Sequence, residues 1–313
     1  MVTVTQSGYS KVTARRRTIG CPRAQTPGQG PELGHCSGVS RWVRYGSSLE
    51  RYYGVSLLLP PTMSGPSPSA PFGEKLYEGK AKIIYATDDP AVLLTYFKDD
   101  ATAFNAQKRG QIVDKGPINC AISTYLFRQL EAAGIATHWL ETTGDRTMRV
   151  KALQIIPLEV VVRNLAAGSL CKQTGLPLGQ RLDPPLVEFY YKNDDLGDPL
   201  LTGDRIRAMA IASEEQIATL RRLALNINQI LTDFFTGCAI TLVDFKLEFG
   251  LDAHQQILLG DEISPDTCRL WDQSTDDETQ RVLDKDRFRQ DLGQVEAAYQ
   301  RVLEKVAAQS TKN

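Results

Sequence analysis

An α+β fold is the architecture this sequence predicts: a small strand-rich lobe packed on a larger α+β lobe with an antiparallel sheet and a C-terminal helix. Three observations carry the prediction. Period-two alternation comes in neighbouring groups separated by tight-turn signals, which is how antiparallel strands are written in a sequence. Helical spacing of apolar residues is confined to separate blocks, whereas a doubly wound parallel sheet would need a helix after nearly every strand. No repeat at about 20–50 residues is visible, which excludes solenoids and propellers.

The strand-rich text begins only after a long leader. In the first 62 residues eight Lys or Arg stand against two Asp or Glu, while the remaining 251 carry 28 against 35, so a nearly neutral chain is a basic leader on an acidic body. The leader is rich in Gly, Pro, Ser and Arg, and its longest apolar run, VSLLLPP, is too short to cross a bilayer. It lacks a signal-peptide apolar segment with a cleavage site at the right distance from Met1. Three readings stand for it: a disordered extension, sequence translated upstream of a start at Met63, or a transit-like segment. The expected organisation is residues 1–72 as a disordered or artefactual extension, 73–156 as the strand-rich lobe and 157–313 as the α+β lobe.

Within the body, KLYEGKAKIIYAT and AVLLTYFKD read as two strands joined around Asp88, Asp89 and Pro90. INCAISTYLFRQLEAAG then places Ile118, Ile122, Tyr125, Leu126 and Leu130 at helical spacing, with Gly134 as the stop. THWLETTGDRTMRVKAL returns to strands, turning at Gly144 and Asp145, and Pro157 marks the passage to the next lobe. EVVVRN puts Glu159, Val161 and Arg163 on one strand face and Val160 and Val162 on the other. Ser169 is the expected cap of a short helix ended by Gly175. The clearest helix, SEEQIATLRRLALNINQILTDFFTG, opens with a capping box of Ser213 and Gln216 and ends at Gly237; its stripe runs from Ile217 through Leu220, Ala224, Ile227 and Leu231 to Phe234. A hairpin, AITLVDFKLEFG with QILLGDEI, follows. The final helix turns Val295, Ala298, Tyr299, Val302 and Val306 inward.

The hairpin carries the sharpest chemical signal. Alternation gives Thr241, Val243, Phe245, Leu247 and Phe249 one face and Asp244, Lys246 and Glu248 the other, with Asp261 within reach across the loop. The charged face is either simply solvated or, through Glu248 and Asp261, a site for Mg²⁺ on a nucleoside triphosphate, since that ion takes oxygen ligands and shares them with phosphates. In the second case the two carboxylates should repel without the ion, and neutralising either should leave the melting temperature equal or higher. Lys80 and Lys82 in YEGKAK, seen as strand-like, are either ordinary exposed lysines or phosphate contacts beside Gly79; no Walker A or kinase glycine loop is present. VVRNLAAGS is either a routine strand-to-helix connection or an anion site built from Arg163 and Ser169. The six cysteines form no CxxC pair and indicate a reducing, cytoplasmic setting, and the three histidines are too scattered for a multi-histidine metal site. No nucleic-acid platform and no membrane segment is expected.

Taken together, KLYEGKAK, VVRNLAAGSL, LVEFYYKNDDLGDP, TLVDFKLEFG, LGDEISPDTCRLWD and DKDRFRQ, in this order, make residues 74–309 closely resemble the SAICAR synthetase family of purine biosynthesis. The resemblance implies an ATP-dependent carbon–nitrogen ligase. It condenses CAIR, 5-amino-1-(5-phosphoribosyl)imidazole-4-carboxylate, with L-aspartate to give SAICAR, ADP and phosphate through an acyl phosphate, in a homodimer. It also implies ATP and Mg²⁺ as cofactors and makes residues 73–156 the ATP lobe. By resemblance, Lys80, Lys82, Glu159, Lys192 and Asp198 face the nucleotide, whose adenine lies along Leu153 to Pro157. Glu248 and Asp261 hold the metal, and Arg163, Ser169 and Arg269 cradle the CAIR phosphate. Asp244, Lys246, Lys285 and Arg289 serve the chemistry, and the DDATAFNAQ region contributes to aspartate recognition. Another ATP-dependent carboxylate–amine ligase, or a catalytically silent nucleotide-binding scaffold, are the competing readings of the same residues; a basic-leader nucleic-acid binder lacks a folded recognition motif.

Overall fold

The computed structural model describes residues 72–103 and 108–311. The predicted extension therefore lies outside the described residues except at its last position, Phe72, which stacks on Tyr85 with ring centroids 5.1 Å apart. All strand pairing between named strands is antiparallel.

The first sheet has the order β1-β2-β3-β7-β6, built from β1 (Lys75–Glu78), β2 (Lys82–Ala86), β3 (Val92–Phe97), β6 (Trp139–Thr142) and β7 (Thr147–Lys151). KLYEGKAKIIYAT is thus a hairpin, not one strand. Gly79 to Ala81 form its turn, closed by Gly79 N–H donating to Lys82 O at 2.8 Å, so Lys80 and Lys82 do not share one strand face. A separate ribbon pairs β4 (Asp100–Ala103), inside the expected aspartate-recognition region, with β5 (Lys108–Gln111) just after it; residues 104–107 of that region lie outside the described set. Helix α1 (Lys115–Ala132) buries Ile118, Ile122, Leu126 and Leu130, and Gly134 after it takes φ +83°, a left-handed stop that costs glycine nothing.

The second sheet runs β10-β9-β8-β11-β12, from β8 (Gln154–Leu165), β9 (Arg181–Tyr191), β10 (Leu200–Leu201), β11 (Ile240–Leu251) and β12 (Ile257–Gly260), with β13 (Cys268–Asp272) also on β11. The expected lobe boundary at 156/157 falls inside β8. Pro157, with no N–H to give a ladder, sits where the β8–β11 register shifts between Glu248↔Glu159 and Gly250↔Ile155. Strands β9 and β13 were not foreseen. Ser169 does not cap α2 (Ser169–Thr174) either: Gly168 is the cap, and the serine hydroxyl serves Arg163.

The capping box expected of Ser213 and Gln216 opens α4 (Glu214–Gly237), the helix after α3 (Gly203–Ala208). Its buried Leu220, Ala224, Ile227, Leu231 and Phe234 join Val160, Val162, Phe245, Leu247 and Phe249 in one apolar core. That core covers one face of the second sheet and leaves the other face to polar groups. After α5 (Asp286–Arg289), helix α6 (Val295–Ser310) packs on α1 and buries Ala298, Tyr299, Val302 and Val306. No helix among the described residues is long and apolar enough to cross a membrane.

Candidate active site

The polar face of the second sheet and one face of the first line a cleft of about 670 Å³. Strand register determines what meets there. Glu159 lies directly opposite Glu248, and Arg163 directly opposite Asp244. Two facing carboxylates would destabilise a ladder, and Lys246, set between them on β11, removes the conflict. Its Nζ is 3.4 Å from Glu159, 2.6 Å from Glu248 and 3.0 Å from Asp261. Lys192, just after β9, donates to the other oxygen of Glu248, and Lys82 donates to Asp261 and lies 3.7 Å from Glu262. Asp261 follows β12 with φ +58°, so the chain turns as soon as its pairing with β11 ends.

Three ammoniums therefore alternate with four carboxylates, and this interleaving overturns the expectation of bare repulsion between Glu248 and Asp261. Burial works against every charge in the array, but for most members the partners win. Asp261, Glu248 and Glu159 hold Lys246 well above the usual lysine range. Against burial, Lys246, Lys82 and Lys192 hold Asp261 well below the usual carboxylate range. Lys192 and Lys246 likewise lower Glu248 against burial and the neighbouring Asp261. For Glu159 burial dominates and its carboxyl is pushed up. The bland reading of the hairpin also falls: Asp244 and Glu248 are 4% and 2% exposed, so this face is enclosed.

The cleft is also lined by apolar side chains, Ile84, Leu93 and Val150 of the first sheet with Leu153 and Ile155 at the start of β8. A Cβ at Gly250 would stand 2.8 Å from Leu153 Cβ and 3.0 Å from Gln154 O, so only glycine lets β11 approach β8 there. At the mouth, Lys80 pairs with Asp194 at 2.8 Å. The turn holding Asp194 is organised by Asp198, which also lines the cleft and whose carboxylate accepts the Asn193 N–H at 2.9 Å.

A second cluster lies beside the first on β8 and β11. Arg163 donates to Glu188 at 2.7 Å, Asp244 at 2.8 Å, and Ser169 and Tyr190 at 3.2 Å each. Arg269 donates to both oxygens of Asp244, at 3.0 and 2.8 Å, and to Asp286 at 2.7 Å, which in turn accepts from Arg289 at 2.6 Å. Gly168 permits this crossing: it has φ +57°, and a Cβ there would lie 2.4 Å from Arg269 Nη2. Arg163, Ser169 and Arg269 are thus brought together as expected, with Asp244 and Arg289 among them and not beside Lys246. Lys285 belongs elsewhere, at the end of the cleft with Asp266 and Thr267.

Glu188, Tyr190, Asp286, Glu262, Asp266 and Lys115 were missed by sequence reasoning. Glu188 and Tyr190 had a usable signal, two polar groups at alternate positions in LVEFYY; Lys115 had none, because it sits at the start of a helix whose pattern reads as core. His138 is buried beside Phe127 and pushed down to about 4 mainly by burial, so it is neutral there.

Among the described residues no group of three or more His, Cys, Asp or Glu forms a metal cage. Glu248 and Asp261 fit a different arrangement. They are hard oxygen donors kept ionised and share Lys246, as two carboxylates completing a phosphate-bound Mg²⁺ would need to be.

The SAICAR synthetase family model matches residues 75–306. A phosphoribosylaminoimidazole-succinocarboxamide synthase of Acaryochloris marina is 67% identical over 237 residues, covering 76% of this chain and 97% of the relative. One from Nostoc punctiforme is 66% identical, covering 74% and 95%. Among solved structures, the synthase from Ehrlichia chaffeensis aligns with a TM-score of 0.72 at 45% identity, over 75% of this chain and 99% of that one. A SAICAR synthetase in complex with ADP aligns with 0.71 at 46% identity, over 74% and 97%. The α+β fold, the order of the sequence blocks and these likenesses together place the chain in the SAICAR synthetase family.

Proposed function

We infer that this chain is the ATP-dependent ligase that joins CAIR to L-aspartate, and that the lysine–carboxylate array in the cleft is where the nucleotide's phosphates and the CAIR carboxylate meet. The array is the observation that carries the reading: half-buried ammoniums and ionised carboxylates share one cleft with a set of apolar side chains, as a polyphosphate attached to a flat base requires. The similar protein with ADP bound supports nucleotide binding.

A carboxylate is a poor electrophile and loses oxide with difficulty. Transfer of the γ-phosphoryl group to a CAIR carboxylate oxygen gives an acyl phosphate; the neutral amine of aspartate then attacks the carbonyl carbon, phosphate departs with the C–O electron pair, and the amine proton is lost to a base or water. The chain's task is to position two anions and neutralise their charge. Lys82, Lys192 and Lys246 do so by exchanging carboxylate partners for phosphate oxygens, and Lys80 closes on the phosphates from the mouth. Ile84, Leu93, Leu153 and Ile155 hold the base. Glu248 and Asp261 would hold Mg²⁺, which would supply positive charge to neutralise the phosphates.

For the CAIR phosphate, Ser169 and Arg269 are the contacts. The Ser169 hydroxyl accepts from Arg163 and keeps its own hydrogen to donate, while Arg163, tied to four partners, orients the cradle from beneath. Asp244 aligns both arginines. The strand-rich lobe, residues 73–156, supplies Lys80, Lys82 and the apolar contacts to the base, and the rest of the body supplies Lys192, Lys246 and the metal and substrate groups. The protein works as a homodimer in the cytoplasm, a setting in keeping with free thiols at Cys120, Cys171, Cys238 and Cys268. A coupled ADP-release assay tests the activity. ADP must appear only when ATP, CAIR and aspartate are all present; release with another carboxylate acceptor in place of CAIR points to a different ligase, and none at all to a silent scaffold.

A further inference from the structure

The cleft ends at a buried carboxylate with three donors. Asp266 Oδ2 accepts from Lys115 at 2.9 Å and lies 3.5 Å from Lys285 Nζ, while Oδ1 accepts from the Tyr299 hydroxyl at 2.7 Å. The donors come from the first residue of α1, the residue before α5, and the inner stripe of α6. Asp266 and Lys285 line the cleft. Tyr299 does not; it is fully buried, and its ring belongs to the core.

The Asp266 backbone is held by its own turn, in which Ser264 N–H donates to Thr267 Oγ1 at 3.0 Å and Asp266 N–H donates to Ser264 Oγ at 3.1 Å. What the turn leaves open is rotation of the carboxylate. Two lysines crowd one oxygen, and without a donor on the other oxygen the group would turn to give each lysine its own. Lys285 would then be drawn toward Asp266 and away from the cleft.

We propose that Tyr299 is a positioning residue: its hydroxyl occupies one oxygen of Asp266, confines both lysines to the other, and so keeps the Lys285 ammonium directed at substrate. The phenol is suited to this, because burial and the adjacent Asp266 hold it well above the usual tyrosine range and it stays a donor. Lys285, held below the usual lysine range by burial against the pull of Asp266, is only loosely paired. The proposal rests on the role in the chemistry that the family resemblance implies for Lys285, taken here as action on CAIR, and the test separates the two.

Tyr299→Phe keeps the ring and removes only the hydroxyl. Steady-state constants for ATP, CAIR and aspartate are measured for this variant, for Lys285→Met and for the double variant, each with its Tm. Expected is a fall in kcat/KM for CAIR of about tenfold with Tyr299→Phe, the ATP KM remaining within about twofold, and a double variant no worse than Lys285→Met. Asp266→Asn combined with Lys285→Met gives the same cycle if Tyr299→Phe does not fold. Lys285→Met with wild-type kinetics overturns the reading of Lys285 and the proposal with it. Impaired Lys285→Met beside a Tyr299→Phe that changes only Tm, or losses that multiply in the double variant, overturns the proposal alone.

Discussion

Changing Glu248 to Gln tests the lysine–carboxylate array most directly, because it separates metal binding from the stability of the metal-free protein. In that protein Glu248 accepts from Lys246 at 2.6 Å and from Lys192. Two effects oppose each other when the charge is removed: repulsion from Asp261 is relieved, and two half-buried ammoniums lose a buried partner. The direction of the Glu248 shift decides between them. Its carboxyl is held below the ordinary value even though burial and Asp261 both push upward, so the ionised form is net stabilising in the fold. That contribution is present above the ordinary carboxylate range and is lost as pH falls through the folded value. Removing one partner of a buried pair costs about 3–5 kcal/mol. Gln keeps one acceptor oxygen, which places the cost near the lower figure. At about 2–4 °C per kcal/mol for a body of this size, Tm at pH 7 in chelator should fall by roughly 6–12 °C. In the ADP-release assay turnover should fall at least ~100-fold, on the order of 3 kcal/mol of transition-state stabilisation, with partial recovery at high Mg²⁺. A chelated variant melting at or above wild type would show that repulsion governs the array. Near-wild-type turnover at limiting Mg²⁺ would remove the metal role from Glu248.

The arginine cluster predicts a split between stability and binding. Arg163→Ala strips Glu188 and the buried Asp244 of a shared partner and should lower stability by about 3–5 kcal/mol in denaturant titrations, whereas Arg269→Lys should raise the CAIR KM about tenfold with the ATP KM unchanged. The reverse pattern would exchange their roles. Asp284, fully buried, has its carboxyl raised to about 7, mainly by burial and then by Asp286. Its protonated form is favoured in the fold, so its contribution is complete below the ordinary aspartate value and is lost as pH rises through about 7. The Tm of Asp284→Asn should therefore gain on wild type between pH 5 and pH 8, and a constant difference would show that Asp284 does not titrate there. Deleting residues 1–62 should leave Tm and turnover intact, because the family match begins at residue 75 and 76% of this chain already spans 97% of a close relative; lost activity would give the leader a role in the enzyme.

What was legible in the sequence, and what was not, follows from the range of the forces involved. The stripe of α4 and its capping box are local patterns, and so is the division of β11 into an apolar face and a charged one, so each could be read from spacing alone. The meaning of the charged face could not. Alternation says that Asp244, Lys246 and Glu248 point the same way; it does not say that Arg163 stands opposite the first and Glu159 opposite the last, because register is set by the whole sheet. That pairing turns an apparent solvated edge into two enclosed clusters, and it assigns Asp244 to the arginines and Lys246 to the carboxylates although only one residue lies between them. Tyr299 shows the same limit from the core side. Its position in the stripe of α6 identifies a buried aromatic, but its chemistry depends on a hydroxyl reaching Asp266, 33 residues earlier in the chain. Helical periodicity reports which face is inside and is silent about which polar atom that face delivers to the back of an active site. In this fold the core and the site share residues, so a substitution that looks conservative by burial, such as Tyr299→Phe, is the one expected to change the chemistry.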